Sequence, residues 1–297
     1  MNSAKRGVRG RDSGDKGIGN PGTERDRGLT GLEIVIKGAG EMATGIAHRL
    51  YMAGMRNILM TEIPEPLSVR RNVSFCEAVY GGSVEVEGVK AECIQKVEEM
   101  KRVRERQNIA VLVDPQWKCI QILKPHVVVD ATMAKRNLGT KKDEAPLVIG
   151  VGPGFIAPDG VHIVVESNRG HDLGRIIYDG AAEAYTGIPG QTMGYTKERV
   201  IRSPVAGKVK HVKKIGDTVK KGELILSIDG IPLVASINGI LRGLIREIYV
   251  TKDEKIGDID PREKREYCYT ISEKARAIGG GVLEAVMHVY NQPLPGI

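Results

Sequence analysis

Aromatic side chains are scarce in this sequence: Phe, Tyr and Trp together make up 4% of 297 residues. Proteins that hold single-stranded nucleic acid stack bases on aromatic platforms inside basic grooves, so that class is disfavoured. Lys and Arg outnumber Asp and Glu by 44 to 37, a formal net charge of +7. Residues 1–30 carry seven basic and four acidic side chains, which leaves only +4 spread over the remaining 267 residues. No nucleic-acid partner is expected. Long apolar runs are also missing, both of the membrane-spanning and of the signal-peptide kind, which predicts a soluble, cytoplasmic protein without membrane association. Cysteine pairs are absent too. Cys76, Cys93, Cys119 and Cys268 lie far apart with no C-x-x-C spacing, as expected of reduced, buried thiols in a chain long enough to fold without disulfides.

Residues 1–30, rich in Gly, Arg, Asp and Ser, have almost nothing to bury and read as a disordered tail. From Leu32 onward short β-branched runs alternate with helical stretches. Ile34–Ile36 and Ile58–Met60 read as strands, and Met42, Ile46 and Leu50 share one helix face between them. A helix is predicted over Val69–Tyr80, and a solvated one over 95–107. The runs at 109–113, 127–129 and 147–149 lack polar alternation, which suits strands covered on both faces of a parallel sheet. Residues 31–198 are therefore predicted to form a Rossmann-like α/β domain with a β-rich end, where "RIIYDGAAEAYT" reads as a hairpin about Asp179-Gly180.

Residues 199–262 have a different texture. Val219-Lys-Lys-Gly-Glu-Leu-Ile parallels Val250-Thr-Lys-Asp-Glu-Lys-Ile, an imperfect internal repeat. It resembles the biotinyl/lipoyl-type barrel-sandwich domain, in which two similar β-halves pack face to face. That resemblance implies a carrier lysine on the hairpin joining the halves. The hairpin here is Asp229-Gly230-Ile231-Pro232, with no Lys between Glu223 and Leu241, so no biotin or lipoate is expected. The lysines from Lys208 to Lys221 read as a solvated sheet face. Residues 263–297 return to helix, with Ile278, Val282, Ala285 and Val289 on one face and Gly279–Gly281 inside it. Glycine costs about 1 kcal/mol per residue within a helix, so the triplet signals close backbone approach, and this helix is expected to pack back on the α/β domain.

Gly38, Gly40 and Ala43 fit the G-x-G-x-x-[GA] fingerprint, with an apolar strand before and a helix after. Such a turn lets backbone N–H groups and the helix dipole approach a pyrophosphate, with Glu41 opening the helix. Glu62, 24 residues after Gly38, ends the second strand where a carboxylate can bind ribose hydroxyls. A second cluster, Lys135, Arg136 and Asn137, follows the strand ending at Asp130 and could hold a phosphate or carboxylate. A third, "ESNRGHDLGR", concentrates Glu166, Arg169, His171, Asp172 and Arg175. There His171, Glu166 or Asp172 could serve in proton transfer and the two arginines as anion clamps. His162, Glu166 and His171 could in principle share a metal, but no ligand spacing is diagnostic, and no metal site is expected.

The strings "KGAGEMATGIAHRL", "MTEIPEPLSVRRNVSFCEAVY", "MAKRNLGT", "VIGVGPGF", "ESNRGHDLGR" and "EKARAIGGGVLEAV" together resemble the accessory proteins of the selenium-dependent molybdenum hydroxylase system, continuously from about Leu32 to Val289. The resemblance implies a role in maturing hydroxylases such as purine or xanthine dehydrogenases, with the hydroxylase or its cofactor-maturation proteins as partners. It supplies no catalytic residue. Three functions stay open: a maturation factor that binds a nucleotide-bearing ligand such as a molybdenum cofactor dinucleotide, an NAD-dependent oxidoreductase, or a docking protein without catalysis. A homo-oligomer is compatible with all three.

Overall fold

The computed structural model describes residues 28–291. The expected tail falls almost wholly outside them. Its last residues do not: Leu29–Gly31 form a 3-10 turn, because Leu29 has apolar surface to pack against the core.

Eleven strands build the first part of the chain: β1 (Ile34–Lys37), β2 (Ile58–Glu62), β3 (Ser83–Val86), β4 (Val89–Ile94), β5 (Ile109–Val113), β6 (Val127–Asp130), β7 (Leu147–Val151), β8 (Ile156–Ala157), β9 (Ile163–Val165), β10 (Ile176–Ile177) and β11 (Gly180–Ala181). The helices are α1 (Glu41–Met52), α2 (Ala78–Gly81), α3 (Met100–Glu105), α4 (Cys119–Leu123) and α5 (Glu273–Tyr290). Nine strands form one sheet in the order β10-β9-β7-β6-β1-β2-β5-β4-β3. It is parallel from β9 to β4 and antiparallel only at its two edges. The chain leaves β1 toward β2 and later returns to place β6 on the other side, so β1 marks the switch point, where sheets of this type open a crevice at the strands' carboxyl ends.

The central strands are apolar without alternation because both faces are covered. Ile34 and Ile36 enter a core with Ile46, Leu50, Ile278 and Val282, while Val35 points to the opposite core with Leu59, Val103 and Ile120. Each such side chain contributes about 1.5–3 kcal/mol on burial. The helix α5 lies against α1 at very short range: a Cβ on Gly45 would sit 2.7 Å from Ala275 Cβ, and one on Gly279 would sit 2.8 Å from Gly45 O. Close packing thus accounts for Gly279.

Two local readings need correction. Residues 69–80 do not form one helix. Short 3-10 turns at Arg71–Val73 and Phe75–Glu77 precede α2, and Ser74 between them is extended at φ −134°. Its hydroxyl bonds Ser68 and the Arg70 carbonyl, a local competitor to helix hydrogen bonding. Nor do the runs around Asp179-Gly180 pair with each other: β10 pairs with β9 and β11 with β8. The hairpin β3–β4 escaped the sequence reading, although "SVEVEGVKAECI" alternates and turns at Glu87-Gly88, both with positive φ.

The second part contains β12 (Val200–Arg202), β13 (Gly207–His211), β14 (Thr218–Val219), β15 (Leu224–Ile228), β16 (Ile231–Val234), β17 (Gly239–Leu244), β18 (Tyr249–Val250) and β19 (Lys255–Asp260). They make two four-stranded antiparallel sheets, β12-β19-β17-β14 and β16-β15-β13-β18, which share one apolar core and do not close into a barrel. The internal repeat reappears as one turn used twice: Glu223 accepts the Lys220 N–H, and Glu254 accepts the Thr251 N–H. This unit is fastened to the parallel sheet by Leu244 N–H to Val69 O at 2.8 Å, Arg71 Nε to Leu244 O at 2.7 Å, and Arg246 to Glu77.

Candidate functional site

The glycine turn after β1 has the expected backbone. Gly38 requires glycine: its φ is +92°, and a Cβ would meet Ala131 O at 3.2 Å. Gly40 is the residue before α1, with φ −68°, and a Cβ there meets nothing within 4 Å. Ala43 is buried beneath the turn. The donors are not all open, however. The Ala39 N–H donates to Glu62 Oε1 at 2.8 Å and the Ile63 N–H to Glu62 Oε2 at 2.9 Å. Burial pushes the Glu62 carboxyl up, and these two amides pull the other way. Glu62 thus closes the turn rather than presenting itself to a ribose. Glu41, first in α1, accepts from Arg70 Nη1 at 2.6 Å and from Ser272 Oγ at 2.8 Å. It joins the start of α1 to the start of α5.

The other two clusters separate. Asn137 folds its own loop, accepting the Gly139 and Thr140 N–H groups and donating to Thr140 O. Arg136 is exposed, and its backbone packs where a Cβ on Gly154 would lie. Lys135 reaches a cleft and sets its ammonium 3.7 Å over the Tyr185 ring. That loop is pinned from below by Lys37, wholly buried at the end of β1, which donates to Thr140 and Glu144 and lies 3.8 Å over Trp117. Burial lowers the Lys37 pKa, against the pull of Glu144 and Asp130. Buried Glu166 accepts the Asn168 and Glu183 N–H groups, at 2.6 and 2.7 Å. It therefore shapes the loop and is no partner for His171, which is exposed. Asp172 pairs with Arg175 on the surface. Of the charged residues of that cluster Arg169 faces the cleft, bonded to Glu273, with Ser167 and Asn168 beside it in the lining. His162 takes the Val148 N–H on Nδ1. Among the described residues no three His, Cys, Asp or Glu side chains gather as a metal site. All four cysteines are free, and burial pushes the Cys119 thiol up to about 12.

What the fold does assemble is a cleft of about 360 Å³ along the carboxyl ends of the parallel strands, walled on its far side by the antiparallel unit. The first turn of α1 supplies Met42; loops after β6, β7 and β9 supply Lys135, Pro153 and Arg169; β12, β17 and β19 supply Arg202, Arg242 and Lys255; α5 supplies Lys274. Five arginines (70, 169, 199, 202 and 242) and three lysines (135, 255 and 274) face Glu41, Glu183 and Asp258. Arg70, Arg199 and Arg242 are buried. Arg199 donates to Asp258 and, twice, to Gly190 O. Burial lowers the Arg242 pKa and neighbouring Arg70 lowers it further, against the pull of Asp258, Glu41 and Asp260. Like charges held together out of water favour an anion between them. The sequence reading missed Arg70, Arg199, Arg202, Arg242, Lys255 and Lys274. Arginines inside apolar strands, such as Arg242 in "GILRGLI", were the available signal.

No family model matches the chain. Over 260 residues it is 46% identical to the uncharacterized protein YqeB of Escherichia coli (strain K12), an alignment that covers 87% of this chain and 48% of that protein. The chain thus spans about half the length of the curated relative it matches. Two solved structures are similar at 9% identity. TcdA (CsdL) has a TM-score of 0.32 over 89% of this chain and 90% of that one. A product-bound ectoine utilization protein EutE (DoeB) from Ruegeria pomeroyi has a TM-score of 0.24 over 77% of this chain and 84% of that one. Neither likeness is close enough to bear on the site.

Proposed function

We propose that the chain is a cytoplasmic accessory factor in the maturation of selenium-dependent molybdenum hydroxylases, and that its cleft holds a phosphate-bearing ligand. A dinucleotide form of the molybdenum cofactor is the cargo that such a role implies. The maturation role is supported by the sequence resemblance from Leu32 to Val289. The ligand is supported by one observation above the others: eight cationic side chains around a cleft at the carboxyl ends of a parallel sheet. Such crevices are the usual ligand sites of open α/β sheets, and the volume falls within the roughly 300–1,000 Å³ typical of small-molecule pockets.

On this reading residues 31–198 are Rossmann-like and residues 199–262 are a barrel-sandwich relative without a carrier lysine. The anion site has moved from the glycine turn to the adjoining cleft. The NAD-dependent oxidoreductase is the weaker reading, because Glu62 is committed to the Ala39 and Ile63 amides and His171 stands outside the cleft. Mass spectrometry of small molecules released from protein purified out of cells making such a hydroxylase tests the proposal. A pterin dinucleotide supports it, and NAD alone favours the oxidoreductase. Protein that is empty yet captures apo-hydroxylase is a docking factor.

A further inference from the structure

We infer that the cleft recognises a diphosphate ester carrying a planar ring, with the phosphates on Arg242, Lys255 and Lys274 and the ring beside Tyr185 under the 184–190 segment. This rests on the reading of the cleft as a ligand site. The cations divide by what they already hold. Arg70 donates to Glu41, Tyr267 O and Thr270 O, Arg199 to Asp258 and Gly190 O, and Arg169 to Glu273. These three fasten the walls together. Arg242 is looser: its Nη1 is 3.6 Å from Asp258 and its Nε 3.6 Å from Asp260, beyond hydrogen-bond range, and its single bond is Nε to Tyr267 O at 3.4 Å. Lys255 and Lys274 form no ion pair among the described residues.

Arg242, though flanked by Asp258 and Asp260, lines the same cleft as the two lysines, and the lysines lie close enough to feel each other's charge. Burial lowers the Lys274 pKa, Arg169 and Lys255 lower it further, and only Glu41 and Glu166 oppose them. An ammonium held against both desolvation and like charge is stabilised by an anion brought to it. Three cationic side chains from one sheet and a helix line one cleft, and a diphosphate, with a second phosphoryl group beyond the charge of about −1.5 to −2 on a monoester, offers each of them an oxygen.

Part of the lining is apolar and borders the cations directly. Met133, Tyr185, Ile188 and Pro189 contribute to it, and Tyr185 and Ile188 remain 54% and 59% exposed. Large apolar side chains left open beside a charged pocket are groups that a ligand can cover. Lys135 caps one face of the Tyr185 ring. Both Arg199 bonds to Gly190 O anchor this segment. Aromatic surface and cationic donors in one enclosure select a molecule with a flat apolar part and a polyanionic part.

Calorimetric titration of the full chain with inorganic pyrophosphate, cytidine and CDP tests the arrangement, with thermal melts of every variant. CDP should bind most tightly of the three. Tyr185→Ala should weaken CDP about tenfold and leave pyrophosphate unchanged. Lys274→Ala should weaken both by about tenfold or more, and Lys274→Arg should restore most of the loss. If CDP binds no better than pyrophosphate, or Tyr185→Ala weakens both alike, the ring site is wrong. Pyrophosphate binding indifferent to Lys274→Ala overturns the phosphate site. If the wild-type chain binds none of the three, the cleft is not a ligand site and the underlying functional reading fails with it.

Discussion

Glu62 Oε1 lies 2.8 Å from the Ala39 nitrogen, so the acid that ends β2 closes the turn that ends β1. A phosphate-binding turn offers its amides to a ligand, whereas this one has given its central amide to the protein's own carboxylate.

Glu62→Ala should therefore act on stability. It leaves the Ala39 and Ile63 amides without their acceptor, at a cost of about 1–3 kcal/mol. Denaturant melts should record that loss, while pyrophosphate affinity stays within about twofold of wild type. Unchanged melts with binding weakened tenfold would return Glu62 to the ligand.

Two neighbouring pairs of glycines should respond in opposite directions. Gly38→Ala is strained by φ +92° and by Ala131 O, whereas Gly40→Ala enters open space at an ordinary φ. Only the first should lower the melting temperature. In α5, Gly279→Ala drives a Cβ to 2.8 Å from Gly45 O, while at Gly280 nothing lies within 4 Å. Gly280→Ala should stabilise by up to about 1 kcal/mol through helix propensity, and Gly279→Ala should destabilise. Equal effects within either pair would contradict the packing described.

Acid should loosen the start of α5 before the sheet. Burial works against ionisation of Glu87, but the Ile271 N–H and the Arg276 guanidinium outweigh it and hold the carboxyl below its ordinary value. A depressed carboxyl pKa contributes stability above the unfolded value, about 4.5 here, and that stability is lost as the pH falls through the lower folded value. Protection against hydrogen exchange over residues 268–278, taken relative to the intrinsic rate at each pH, should fall between about pH 5 and 3. In Glu87→Gln that protection should already be low at pH 6 and change little over that window. Identical pH profiles for the two proteins would remove Glu87 as the tie.

Apolar runs made the parallel sheet legible, since Val127-Val128-Val129 has no polar position to turn toward water. The turn pattern around Glu223 and Glu254 likewise announced a repeated β unit. The cleft was much less visible. Its cations come from positions as far apart as Arg70 and Lys274, and no periodicity or spacing links residues that meet only after two sheets are fastened together. Local density misled in the opposite direction. The cluster at 166–175 is polar because Glu166 must satisfy the amides of a tight loop and because Asp172, Arg175 and the exposed His171 face solvent. The helix predicted over 69–80 failed for a related reason, because Ser68 and Ser74 bond locally in competition with the helix.

The close crossing of Gly45 and Gly279 also has a cost during synthesis. Glu41 and Glu273, the first residues of α1 and α5, are 232 positions apart. At translation rates of about 5–20 residues per second, roughly 10–50 s pass between them. For that interval the side of α1 bearing Gly45 has no partner, and the nascent chain carries an incomplete core on the ribosome. Contacts so distant in sequence also slow folding once release has occurred. The face of α1 that carries Gly45 and the face of α5 that carries Gly279 therefore meet only after almost the whole chain has been made.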